Sequence, residues 1–158
     1  MMVEKSCTFA RQIESMKKAA IILFMLFAIA TIGEAQTVYQ KDRWGAKLLF
    51  FQENTVRIKD CWGDPLLWYD EGASTLRQKD RWGQALLYMD GQTVRLKDRW
   101  GDAILYFDGQ TIRQKDRWGA ALYYLDGNTL RIKDRWGTAV YYFDFTPSPW
   151  QIAVVILM

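Results

Sequence analysis

The stretch ALYYLDGNTLRIKDRWG, Ala121–Gly137, holds one full period of this chain and decides how it folds. Two runs in it read as strands. Ala121–Asp126 is rich in aromatic and aliphatic residues, and Thr129–Asp134 alternates apolar with charged. Both runs are too short for a typical helix, and turn signals bound each of them. Between them stands Gly127-Asn128, with Gly91-Gln92 and Gly109-Gln110 at the matching places. Gly at the first central position suits a two-residue type II′ hairpin turn. That turn pairs Asp126 with Thr129, Leu125 with Leu130, Tyr124 with Arg131, Tyr123 with Ile132 and Leu122 with Lys133.

The period recurs outward in both directions. KDRWG stands at 41–45, 79–83, 97–101, 115–119 and 133–137, and KDCWG at 59–63. The tryptophans of these six motifs are 18, 20, 18, 18 and 18 residues apart. The longer step falls in DEGAS, Asp70–Ser74, where a turn tolerates insertion. A catalytic motif is needed once, so six copies indicate architecture. Asp at the first and Gly at the fourth position fit a type I turn, with the Asp side chain accepting from backbone N–H groups. Asp98, Trp100, Gly101, Asp116, Trp118, Gly119, Asp134, Trp136 and Gly137 are therefore expected to build turns. The Trp is expected to clamp the ends of neighbouring hairpins, with the preceding Arg on an indole.

The proposed register sorts the side chains into two faces. Tyr123, Leu125, Leu130 and Ile132 form the buried one, with Leu105, Phe107 and Ile112, or Leu87, Met89 and Val94, in other copies. Leu122, Tyr124, Arg131 and Lys133 form the outer one. There Tyr88, Tyr106, Tyr124 and Tyr142 interleave with Arg95, Arg113 and Arg131, a candidate aromatic and basic ladder for a ligand. Long Arg and Lys stems can lie along such rings with their charges in water.

One sheet with an apolar face has to bury it. The expected fold is all-β, with tandem antiparallel hairpins of 18 residues forming a coiled meander or solenoid. A parallel β-solenoid and a closed barrel are the alternatives. The domains expected are 1–35, an N-terminal extension and signal peptide; 36–145, the six-copy repeat; and 146–158, a C-terminal capping strand. Gln36–Asp42 matches only the second half of a unit, so the first hairpin is incomplete.

The 158 residues are half hydrophobic, carry a net charge of +3 and contain no His. Lys and Arg are dispersed among Asp, which gives no footprint for nucleic acid. Without His there is no His-dependent triad or His metal site. The recurring Asp residues serve the turn, and they do not form the two unlike carboxylates of a glycosidase. No catalytic residue, cofactor or metal ligand is expected. Met16-Lys17-Lys18, the apolar run Ala19–Gly33 and the small residues Gly33 and Ala35 read as a secretory signal. Cleavage is expected after Ala35, with Ala28-Ile29-Ala30 as a second candidate, and either Met1 or Met16 is the start. The mature chain would keep only Cys61, so no disulfide is expected.

The run YYLDGNTLRIKDRWGTAVYYFD resembles three groups of bacterial exported repeats. These are the Tyr-Asp repeats of Rhs-type proteins, the bacterial MORN-variant repeats, and the choline- or glucan-binding cell-wall repeats. All three imply stacked β-hairpins. This chain has a shorter period and carries Trp-Gly where the choline-binding repeats have Gly-Trp. The functional expectation is a non-enzymatic exported scaffold or interaction protein, secreted or in the periplasm or cell envelope. The second reading is a glycan-binding module using the aromatic and Arg ladder. The partners expected are an envelope protein or a polysaccharide, with no nucleic acid and no membrane span in the mature chain.

Overall fold

The computed structural model describes residues 36–158. The N-terminal extension, the signal peptide with its cleavage site, and Cys7 lie outside the described residues. The hairpin register is the one the turn dictates: Asp126 faces Thr129, Leu125 faces Leu130, Tyr124 faces Arg131 and Tyr123 faces Ile132. Gly91, Gly109 and Gly127 take φ of 59 to 61°, the left-handed region that a type II′ turn requires at its first central residue.

Repetition of this hairpin gives twelve antiparallel strands. They are β1 (Gln36–Gln40), β2 (Lys47–Gln52), β3 (Thr55–Ile58), β4 (Pro65–Asp70), β5 (Thr75–Gln78) and β6 (Ala85–Asp90), then β7 (Thr93–Leu96), β8 (Ala103–Asp108), β9 (Thr111–Gln114), β10 (Ala121–Asp126), β11 (Thr129–Ile132) and β12 (Ala139–Phe143). The strands close into a barrel in chain order, with β1 against β12. The expected open solenoid is thus replaced by the closed alternative. Closure pairs every backbone edge, which an open meander leaves unpaired at both ends.

The half-unit at the start explains why closure works. Val38 faces Phe143, Tyr39 faces Tyr142 and Gln40 faces Tyr141. This is the register of Leu130 on Leu125, Arg131 on Tyr124 and Ile132 on Tyr123. Strands β12 and β1 therefore make a sixth hairpin without a covalent turn. Asp144 closes its open end: its N–H donates to the Thr37 carbonyl at 3.1 Å, and its Oδ1 accepts from the Thr37 N–H at 2.7 Å.

Between hairpins the register shifts once per repeat. Ala121 pairs with Arg113 and Tyr123 with Ile112, leaving Leu122 as an extra residue. The same shift leaves out Leu48, Leu66, Leu86, Ile104 and Val140. These are β-bulges, which increase local twist and bend the wall round. The bulge also corrects the facing of Leu122, which packs against the core and not on the outer face. Strict alternation cannot anticipate one extra residue per repeat. Ile132 is corrected in the opposite sense: at the open mouth of the barrel it is 46% exposed.

Twelve strands at ordinary spacing and tilt make a barrel roughly 24 Å across, backbone to backbone. Side chains from the wall leave a central channel of about the width of one α-helix. That helix is α1 (Pro149–Leu157). The expected capping strand over 146–158 is therefore a helix. In a closed barrel the tail has no free edge to pair with, so its backbone must satisfy its own hydrogen bonds. Pro149 takes the first helical position, where a missing N–H costs nothing. The Ser148 N–H and hydroxyl both donate to Gln151 Oε1 at 2.9 Å, and Gln151 Nε2 donates to Gln36 Oε1 at 2.8 Å.

Ile152, Ala153, Val154 and Val155 are buried in one cluster with Val38, Phe51, Val56, Leu76, Val94, Leu105, Leu130 and Phe143 of the wall. Trp150 stacks on Tyr69 at 4.5 Å and meets Phe51 edge-on at 5.5 Å. Phe145, at the place of the turn Gly, packs on Phe51 and Phe143. Burial pushes the Tyr69 phenol above its ordinary value of 10.0. The nearby Glu71 and Asp70 carboxylates add to the shift, and a hydrogen bond with Ser74 opposes it.

Cys61 takes part in a disulfide, where a lone thiol was expected.

Candidate functional site

The six KDRWG turns all lie at one end of the barrel, because each joins the second strand of one hairpin to the first of the next. Each turn is built in the same way. In the copy before β10, the Asp116 N–H donates to the Gln114 carbonyl at 2.7 Å across Lys115, and the Gly119 N–H donates to the Asp116 carbonyl at 3.0 Å. The Trp118 N–H donates to Asp116 Oδ1 at 2.8 Å, and the other five copies repeat this bond at 2.8–2.9 Å. The turn role expected of Asp98, Asp116 and Asp134 is thus what the hydrogen bonds show.

Gly119 is fixed by contact rather than by dihedral angle. A Cβ there would stand 1.7 Å from the Gln114 carbonyl oxygen, and the other five copies are equally tight, Gly101 and Gly137 included. No side chain fits in that gap. The Lys before each Asp has φ of 63–67°, an arrangement that non-glycine residues seldom adopt. Its N–H bonds to the bulged residue on the paired strand of its own hairpin, as Lys115 does to the Ile104 carbonyl at 2.9 Å. Turn and bulge therefore hold each other.

The Trp side chains do not clamp anything. Trp44, Trp62, Trp82, Trp100, Trp118 and Trp136 are 73–83% exposed. The Asp bond and the Gly contact fix the Trp backbone so that the indole points away from the barrel. Its one recurring partner is the preceding Arg: Arg43, Arg81, Arg99, Arg117 and Arg135 lie over their own Trp with the guanidinium carbon 4.6–4.9 Å from the ring centroid.

Inside this ring of indoles the barrel mouth is apolar. Ile58, Leu96 and Ile132 are 44–46% exposed, and Leu157 and Met158 of the helix end are exposed beside them. A pocket of about 290 Å³ opens there between Leu86, Leu96 and Ile104 of the wall and Val154, Leu157 and Met158.

The predicted ladder lies on the outer wall. Tyr88, Tyr106, Tyr124 and Tyr142 are half-buried there. Tyr106 and Tyr124 donate their hydroxyls to Gln92 and Gln110 Oε1 at 2.8 and 2.6 Å. Arg95, Arg113 and Arg131 each donate Nε to an Asp of their own hairpin (Asp90, Asp108, Asp126) at 3.1 Å. Their terminal nitrogens donate to the carbonyls of Gly101, Gly119 and Gly137 at 3.2–3.3 Å. These guanidinium groups tie the two ends of a repeat together, which period-two reasoning did not foresee. Among the described residues no cluster of acidic or sulfur side chains is suited to a metal ion.

No family model, curated protein or solved structure matches this chain.

Proposed function

We propose that this chain is a non-enzymatic, exported interaction module or scaffold of the bacterial envelope or extracellular space, and that it engages its partner through the KDRWG end of the barrel. The observation that carries this reading is the ring of six tryptophans. A side chain that large, left in water in six copies, adds nothing to the core, while Trp is among the residues most enriched in binding hot spots. The turn machinery holds each one outward at no packing gain. Export rests on the sequence reading of Met16–Ala35.

A second reading, a glycan-binding module on the outer wall, is favoured by the aligned half-exposed rings of Tyr88, Tyr106, Tyr124 and Tyr142. Its cations, Arg95, Arg113 and Arg131, are engaged within the fold. Retention on immobilised polysaccharides and on envelope fractions separates the two. The triple variant Trp100→Ser, Trp118→Ser, Trp136→Ser should lose retention, and the pair Tyr106→Ser, Tyr124→Ser should keep it. Retention that depends on the tyrosines alone would move the site to the wall, and turnover of a substrate would replace the module with an enzyme.

A further inference from the structure

The ring of indoles is not the only thing that distinguishes the two ends of the barrel. From Lys to Gly, the six turns contain eleven Lys and Arg against six Asp. Each of those Asp residues turns one carboxylate oxygen inward to a Trp N–H. The opposite end carries Glu53, Asp70, Glu71, Asp90, Asp108, Asp126 and Asp144 at or beside its hairpin turns. With Asp64 and Asp102 beside two of the turns, one end is aromatic, apolar at its centre and weakly cationic, and at the other Asp70, Asp90, Asp108 and Asp126 are paired with Arg77, Arg95, Arg113 and Arg131.

From this polarity we infer that the KDRWG end docks on the surface of an anionic phospholipid bilayer, with its indoles at headgroup depth. The inference rests on the reading that this end is the interaction face. Symmetry narrows the partner. Six equivalent indoles at one end of a closed barrel can all engage at once only with a partner that is itself sixfold or is the same in every lateral direction. A polysaccharide strand would touch an arc of the ring. A second copy has the matching symmetry but would set eleven cations against eleven. A lipid surface is laterally uniform, and its negative potential complements the turn lysines and arginines. Indoles flanked by Lys and Arg are also the composition found where proteins meet the headgroup layer.

Docking here means lying on the bilayer and not crossing it. The strands have four to six residues, against about 9–11 for a spanning strand. The exposed Leu157 and Met158 at the centre of the ring give the face an apolar middle of the kind that enters the headgroup–acyl boundary.

The test uses the full chain with vesicles of equimolar phosphatidylglycerol and phosphatidylcholine. Vesicles of phosphatidylcholine alone, and the same lipids with bromine high or low on the acyl chain, complete the set. No Trp precedes Trp44, so indole fluorescence reports the barrel even if the apolar run 19–33 inserts by itself. The expected result is a blue shift on anionic vesicles, quenching mainly by shallow bromine, and loss of protection from acrylamide at high salt. The Trp100→Ser, Trp118→Ser, Trp136→Ser variant should lose at least half of the quenchable signal. Lys97→Glu, Lys115→Glu, Lys133→Glu should weaken binding to anionic vesicles by tenfold or more.

Emission and acrylamide quenching unchanged by lipid, whether or not the chain sediments with the vesicles, would overturn the inference. Indoles shielded without lipid, together with a doubled mass, would assign the face to a second copy. That result would sink the bilayer while leaving the KDRWG end as the interaction face, whereas retention dependent on the tyrosines alone would sink both.

Discussion

Replacing Gly119 by Ala tests the turn more sharply than any change to its charged residues. The new Cβ would lie 1.7 Å from the Gln114 carbonyl oxygen, whereas real Cβ contacts essentially never fall under 3.0 Å. The backbone must therefore open by more than 1 Å at a point where nothing flexible can give way. Three bonds cross that point: Gly119 N–H to Asp116 at 3.0 Å, Gln114 N–H to Ala120 at 2.9 Å, and Arg113 to the Gly119 carbonyl at 3.3 Å. At about 1 kcal/mol for each bond lost, the cost is about 3 kcal/mol. For a domain of this size that lowers the melting temperature by roughly 10 °C. Gly127→Ala meets open space and carries only the left-handed penalty at φ 61°, about 1 kcal/mol. Gly72→Ala has neither problem, since its Cβ would find only Asp70 Oδ1 at 3.5 Å, and it should be near neutral. Thermal unfolding of the three variants, followed by far-ultraviolet circular dichroism, should rank them in that order. Equal melting temperatures for Gly119→Ala and Gly72→Ala would refute the steric account of the motif.

Two other perturbations follow from local geometry. Glu53 has φ 53° in the turn where three other copies place Gly, so Glu53→Gly should raise stability by about 1 kcal/mol in urea titrations, and a loss would count against that turn assignment. The Tyr69 phenol, raised above 10.0 by burial, keeps its proton longer in the folded than in the unfolded chain. Its contribution is complete below pH 10.0 and disappears as pH climbs through the folded value, so stability should fall with pH in that window. Tyr69→Phe should fall less steeply there, and parallel slopes for the two proteins would contradict the assignment.

The hairpin was legible in the residues because local rules fix it. Gly127-Asn128 sets the turn, the turn sets the register, and the register places Tyr123, Leu125 and Leu130 against the core. What could not be read needed information from outside one repeat. Leu122 faces inward because of a bulge in its strand's pairing with β9 of the preceding hairpin, and no periodicity within the strand reveals it. Closure depended on seeing that the half-unit at Gln36 and the half-unit at Phe143 complete one another across more than a hundred residues. The tail read as a strand because its apolar run is short, and only the width of the finished channel makes a helix of it.

The candidate site followed the same division. The tryptophans were visible as turn residues, while their exposure depended on the Asp116 bond and the Gly119 contact that turn them outward. The Arg ladder was correctly placed on the outer wall. Its ties to Asp108 and Gly119 follow from strand tilt, which a flat register omits.

Near-identical tandem units are prone to gain or loss of whole copies when genes replicate, and many repeat proteins tolerate such length drift. Here the helix acts as a gauge that forbids it. Removing one hairpin would narrow the channel by about 4 Å and adding one would widen it as much. In the first case Ile152, Val154 and Val155 could not enter, and in the second they would rattle in a void. The copy number is therefore set by the girth of nine residues at the far end of the chain. Any change in the number of repeats would have to be matched, in the same step, by a new plug.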